Sequence, residues 1–126
     1  MNTEARIRIR VQLGDLPLFG PGKAALLTAI DEVGSIAGAA RALGMSYRRA
    51  WLLVDSMNQN FTGPLVAASP GGRGVGGSRV TDLGRRVLAA YHAVEIDAAR
   101  AAGKPLADLQ AMVAAEPGPS VAGEPE

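Results

Sequence analysis

The sequence predicts a mostly α-helical chain with a small β-sheet, on three observations. Residues 35–60 hold two helical stretches separated by a tight turn at Gly44. Two short strand-like stretches, residues 65–68 and 78–81, flank a glycine-rich segment and read as a β-hairpin. From residue 82 to about 102, apolar residues recur at three-four spacing, the pattern of one long helix.

Taken in order, residues 5–13 alternate. Ile7, Ile9, Val11 and Leu13 fall on one side, and Arg6, Arg8, Arg10 and Gln12 on the other. That period of two predicts a half-buried strand with a basic outer face. The arginines suit either a solvated edge kept soluble by charge or a contact to DNA. Gly and Pro at close intervals make residues 14–22 a connecting loop. Pro21 suits a first helical turn, and a helix through residues 23–33 buries Leu26, Leu27, Ile30 and Val33. Gly34 ends it and Ser35 caps the next helix, whose core face is Ile36, Ala40 and Leu43. The alanines and glycine of that helix are expected to let the following one approach closely.

Gly44 accepts positive φ at a helix end, and Ser46 is placed to cap a helix running to about Asn60. Two helices joined by so short a turn cross steeply, which is the helix-turn-helix arrangement. At ~100° per residue, Ala50, Leu53, Val54 and Met57 share the inner arc. Tyr47, Arg48, Arg49, Trp51 and Leu52 are then left at the outer N-terminal end, where this motif meets base edges. An ordinary helical hairpin with solvated arginines has the same local pattern.

The hairpin that follows reads as a wing, with Arg73 among the glycines of its tip and Arg79 at its base. Gly72-x-Gly74-x-x-Gly77 imitates a dinucleotide-binding fingerprint. The fingerprint needs its glycines to open straight into a helix and a second parallel strand to follow, and neither is present. Thr81 and Asp82 suit the start of the long helix. Its stripe of Leu83, Val87, Ala90, Tyr91, Val94 and Ala98 outruns a small domain and is read as a dimer interface, with His92 an ordinary surface or interface residue. Residues 105–115 carry a weak helical pattern, and residues 116–126 are expected to be unstructured. The organisation is therefore residues 1–81 as a winged helix-turn-helix, 82–102 as a dimerisation helix, and 103–126 as a Pro/Gly/Ala-rich tail.

Composition narrows the function. The 126 residues hold no cysteine and one histidine, which excludes disulfides, thiolate sites and multi-histidine metal centres. No nucleophile–base pair is visible, so neither an enzyme nor a cofactor is expected. No stretch approaches the ~18 apolar residues of a membrane span, and no signal segment opens the chain, so a cytoplasmic protein is expected. Residues 1–90 hold eleven Lys or Arg against six Asp or Glu, whereas residues 91–126 hold two against six. A basic body with an acidic end permits nucleic-acid binding.

With these elements placed, the chain resembles the N-terminal DNA-binding domain of ModE, the molybdate-responsive transcriptional regulators. That domain is a winged helix related to the one in LysR-type regulators. The resemblance is carried by Gly34-Ser35-Ile36, Ser46-Tyr47-Arg48-x-Ala50-Trp51, Met57-Asn58, Gly71-Gly72-Arg73-Gly74-x-Gly76-Gly77, Thr81-x-x-Gly84 and Tyr91. It covers roughly residues 5–100. It implies a dimer on a palindromic double-stranded operator, with Ser46, Tyr47, Arg48 and Trp51 facing the major groove and Arg73 serving the wing. It also implies that the 82–102 helix pairs two subunits. The residues make Arg48 the candidate for base readout and Arg49 for phosphate. ModE regulators continue into paired molybdate-binding domains, and residues 103–126 offer no strands for one. The expectation is thus a regulator without a sensor of its own, possible control coming from a separate molybdate-sensing partner. A winged-helix module that binds protein in molybdenum metabolism or metalloenzyme maturation is the alternative.

Overall fold

Capping residues set the element boundaries in the computed structural model, which describes residues 4–69, 77–116 and 118–119. The described residues form α1 (Pro21–Val33), α2 (Ile36–Leu43), α3 (Tyr47–Asn60), β1 (Val66–Ala68), β2 (Ser78–Val80), α4 (Asp82–Ala101) and α5 (Gly103–Ala111). This is a mostly α chain with one small antiparallel sheet. Pro21 opens α1, and Gly34 closes it at φ 85°. The Ser35 hydroxyl accepts from the Gly38 N–H to start α2, and Gly44 closes α2 at φ 69°. A side chain at either closing position would be strained, so glycine is what allows two stops so close together. The Ser46 hydroxyl accepts from Arg49 N–H, and the Thr81 hydroxyl accepts from Gly84 N–H at the head of α4.

The strands pair Val66 with Val80, Ala67 with Arg79 and Ala68 with Ser78. Hydrogen bonds extend the pairing at both ends, from Thr81 N–H to Leu65 O at 2.9 Å and from Ser69 N–H to Gly77 O at 3.0 Å. Ser78 N–H also donates to Gly34 O at 2.9 Å, which ties β2 to the end of α1. Residues 70–76, the expected hairpin tip with Arg73, lie outside the described residues, as do residues 117 and 120–126 of the expected tail.

The core is aliphatic. Leu26, Leu27, Ile30, Met57, Leu65 and Val80 are its largest fully buried side chains, and Ala39 and Ala50 are completely covered where α2 meets α3. Small side chains there permit close helix packing, in line with the sequence pattern. A second layer stacks Phe19 edge-on against Tyr91, with ring centroids 5.2 Å apart, and against Phe61 at 6.3 Å.

Four expectations change. Residues 5–12 keep their in-and-out alternation, Leu13 breaks it at 42% exposure, and the segment forms no regular strand; a single antiparallel bridge joins Val11 to Phe19. Alternation fixes which side chains face inward and says nothing about a neighbour for the backbone. Val33 and Leu43, expected in the core, are 50% and 38% exposed. Each is the last residue of its helix, where the left-handed glycine turns the chain away. Gly38, expected to admit α3, instead turns its bare backbone to Val33 Cγ1 and Ser35 Oγ, which fill the space a side chain would need. The tail also folds further than expected, with α5 starting at Gly103 directly after α4. Ala102 ends one helix and begins the next, Pro105 sits harmlessly in the first turn, and Lys104 pairs with Asp108 at 3.2 Å.

Candidate nucleic-acid interface

The site is built on α3. Ala50, Val54 and Met57 are buried and anchor the helix, and Leu53 is partly buried against them. That anchoring fixes the rotation of α3 and leaves its outer N-terminal arc in solvent: Tyr47 is 56% exposed, and Trp51 and Leu52 are each 46% exposed. Arg48 and Arg49 are exposed on the same arc. Ser46 is exposed as well, but its hydroxyl oxygen already accepts from Arg49 N–H at 3.1 Å and so serves the helix start. The structure thus brings Ser46, Tyr47, Arg48, Arg49, Trp51 and Leu52 to one end of one helix. Ser46, Arg48, Arg49, Leu52 and Leu53 line a shallow opening on it.

Asn58, near the opposite end of α3, sets the angle of the hairpin. Its side-chain oxygen accepts from Leu65 N–H at 2.8 Å and Val66 N–H at 3.1 Å, while its amide donates to Val66 O at 3.0 Å. One side chain therefore satisfies three backbone groups of the strand that follows. Arg79 lies exposed on β2 opposite Ala67. Arg73 lies outside the described residues.

The hairpin is seated on α4 by close contact. A side chain at Gly84 would meet Leu65 O and stand 2.6 Å from Val80 Cγ1, so only glycine fits. The Thr81 hydroxyl, besides capping α4, donates to Pro64 O at 2.7 Å. The residues expected at a dimer interface divide. Tyr91 is 4% exposed and belongs to the chain's own core, with Leu83 and Val87 packed partly against that core. Ala98 is half-buried, while Ala90 and Val94 are exposed. Val87, Ala90, Tyr91 and Val94 line an almost wholly apolar groove of about 220 Å³ with Val11, Leu13, Phe19 and Phe61. Burial, and to a lesser degree the Glu95 carboxylate, pushes the Tyr91 hydroxyl above its ordinary range, with a small opposing pull from Arg8. That hydroxyl donates to Ile9 O at 2.6 Å, a bond across 82 positions of sequence. His92 is exposed and faces Glu95 at 3.0 Å.

Sequence reasoning did not find Asn58 as a bracket, the Tyr91–Ile9 bond or the Gly84 contact, though Asn58, Gly84 and Tyr91 stand in the motifs quoted above. It also did not place Lys23 at a site. Lys23 lies half-buried near the N-terminal arginines, its amine donating to Leu18 O at 2.8 Å, and burial lowers its pKa.

The described residues thus place side by side a helix pair joined through Gly44, an exposed basic and aromatic end on its second helix and an antiparallel pair of strands, a helix-turn-helix arrangement. In sequence the chain is ModE-like. It is 44% identical to the molybdenum-pterin-binding protein MopB of Rhodobacter capsulatus over 82 residues, 65% of this chain and 30% of that protein. It is 47% identical over 72 residues to the molybdenum transport protein ModE of Azotobacter vinelandii, 57% of this chain and 27% of that one. The DNA-binding transcriptional dual regulator ModE of Escherichia coli K12 is 34% identical over 88 residues, 70% of this chain and 34% of that one. The chain thus matches about a third or less of the length of each of these relatives. No family model matches it. Among the described residues, no helix is long and apolar enough to cross a membrane.

Proposed function

We propose that this chain is a dimeric, sequence-specific DNA-binding transcriptional regulator of ModE type, tied to molybdenum metabolism. The observation that carries the reading is the exposed end of α3, where Tyr47, Arg48, Arg49, Trp51 and Leu52 stand together while Ala50, Val54 and Met57 lock the helix from behind. A helix held that rigidly presents a fixed set of groups, which base-edge readout requires. Arg48 reads guanine O6 and N7, Leu52 and Trp51 contact thymine methyls and sugar, and Arg49 takes phosphate. The hairpin acts as a wing, with Arg79 at its base; Arg73, which the sequence offers as a further wing contact, lies outside the described residues. The names of the relatives support the molybdenum link and, for the Escherichia coli protein, DNA binding. Two copies related by a two-fold would place their α3 helices in half-sites about one or two helical turns apart on a palindrome. DNA binding is proposed as independent of molybdate, because every group it invokes lies on α3, the hairpin or α4.

The test is fluorescence anisotropy with a palindromic ModE operator and a scrambled duplex, across a salt series, with and without molybdate. Salt-sensitive preference for the palindrome, unchanged by molybdate, is the expected result. Trp51, the one tryptophan of the sequence, is expected to change its emission on binding. Weak and equal affinity for both duplexes would favour the protein-binding alternative, for which the adjacent exposed Trp51 and Leu52 are the natural contact.

A further inference from the structure

Beside the exposed end of α3 lies an open cleft of about 660 Å³ that the reading above does not use. Its walls carry four cations from three parts of the chain: Arg8 and Arg10 of the N-terminal extended segment, Lys23 of α1, and Arg49 of α3. Leu18, Met45 and Leu53 complete the lining with Gly20, Pro21 and Gly22 at the start of α1, and among the described residues no carboxylate lines it. Among the described residues none of the four makes an ion pair, whereas Asp31, Glu95 and Asp108 are matched elsewhere with Arg85, His92 and Lys104. A concave surface of one sign focuses field and gathers counter-charge.

The chain holds these cations close to its own backbone. Gly20 has no side chain where one would come 3.0 Å from Arg10 Cγ and 3.5 Å from Ile9 O, so the arginine-bearing segment lies directly against the entry to α1. The Val11–Phe19 bridge clamps the same hairpin-like return with two backbone hydrogen bonds, at 2.7 and 3.0 Å. Arg8 and Arg10 are thereby carried to the side of the molecule where α3 begins.

Continuity identifies what the cleft receives. Arg49 and Leu53 line both this cleft and the shallow opening bounded by Ser46, Arg48 and Leu52. The two openings therefore adjoin, and their cations extend from the end of α3 across to the N-terminal segment. We infer that the cleft is a second phosphate-binding surface, which takes the sugar-phosphate backbone of the DNA strand bordering the groove that α3 enters. This rests on the DNA-binding reading above and extends its contacts to Arg8, Arg10 and Lys23. Guanidinium groups match phosphate in planar, two-point fashion, and such contacts fix position on the duplex without carrying sequence information.

The experiment compares wild type with Arg8→Gln/Arg10→Gln, Lys23→Gln and, as a control on the last turn of α4, Arg100→Gln. Each is titrated with the palindrome and the scrambled duplex over a salt series, with thermal melts to verify folding. Each phosphate contact contributes roughly 0.9 to the slope of log affinity against log salt. The double variant is expected to lose roughly two units of slope at that rate, to weaken on both duplexes alike, and to keep the wild-type ratio between them. Lys23→Gln is expected to lose about half as much, and Arg100→Gln nothing. A wild type that prefers the palindrome while the double variant keeps its full slope would overturn the cleft and leave the DNA reading standing. A ratio between duplexes that collapses with the slope unchanged would overturn the cleft in the same way. A wild type without salt-sensitive DNA binding would overturn both, and the two failures are thus told apart.

Discussion

At the scale of single residues, neighbouring arginines on α3 are assigned different work. Arg48 and Arg49 are adjacent, yet ~100° of helical rotation separates them and only Arg49 reaches the wide basic cleft. Arg48→Ala is expected to remove about 1–3 kcal/mol of discrimination between palindrome and scrambled duplex, the worth of a good two-point base contact. Arg49→Ala is expected to weaken both duplexes alike and flatten the salt dependence. Paired anisotropy titrations check this, and an Arg48→Ala protein with undiminished preference would move base readout to another side chain. Gly84 is the residue on which packing is least forgiving. A methyl there meets Leu65 O and Val80 Cγ1, both held by the hairpin. Neither can swing away as the end of a flexible side chain would. Gly84→Ala is expected to destabilise by about 1–3 kcal/mol, as overpacked cores do, read as a lower urea midpoint with an unchanged slope.

Between elements, coupling rests on few side chains. Asn58 joins α3 to β1 through three hydrogen bonds, so Asn58→Ala strands two N–H groups and a carbonyl in a half-buried place. Each unsatisfied group costs about 1–3 kcal/mol where water cannot replace the partner. The melt is expected to fall and, with the hairpin freed from α3, so is DNA affinity, although Asn58 is not proposed to touch DNA. Unchanged affinity in a protein that still folds would mean that the hairpin angle does not matter for binding. Tyr91 joins α4 to the N-terminal segment in the same way, through Ile9 O. Its hydroxyl titrates above its ordinary range because of burial first and Glu95 second. A raised folded-state pKa makes the stabilisation complete below the unfolded value of about 10, and lost as pH rises through the folded one. Stability is therefore expected to decline on the alkaline side, and Tyr91→Phe, starting from a lower melt, to decline less there.

Element boundaries were legible in the sequence because they are chemically local. Gly34 and Gly44 at positive φ, and the hydroxyls of Ser35, Ser46 and Thr81, each mark an end within a few residues of themselves. The exposed end of α3 was legible for a related reason, since helical periodicity tells outside from inside once the caps are placed. What depends on meeting distant chain was not. Alternation over residues 5–13 separated inward from outward side chains as far as Gln12, but it placed Leu13 inside and predicted a ladder, and only Val11 finds a partner. The basic cleft needs residues 8, 10, 23 and 49 brought together, and no local pattern announces that.

At the scale of the whole molecule, the proposed pairing of two copies turns on the apolar groove along α4. Much of the stripe read as an interface is already used: Tyr91 is core, and Leu83 and Val87 lean on that core. What remains available is the outer rim, where Val94 is 45% and Leu13 is 42% exposed beside Ala90. A two-fold contact would bury this rim against its own copy and hold the two α3 helices at a fixed separation. Val94→Asp puts a charge on that rim without disturbing the monomer core. The expected outcome is a halved mass by light scattering, an unchanged melt of the monomer fold, and palindrome affinity reduced to that of a single half-site. Leu109→Asp on α5, more exposed still at 60% but off the groove, is expected to leave mass and affinity alone. If Val94→Asp keeps the wild-type mass and still prefers the palindrome, the pairing surface lies elsewhere. If Leu109→Asp alone breaks the assembly, α5 rather than the α4 groove holds the two copies together.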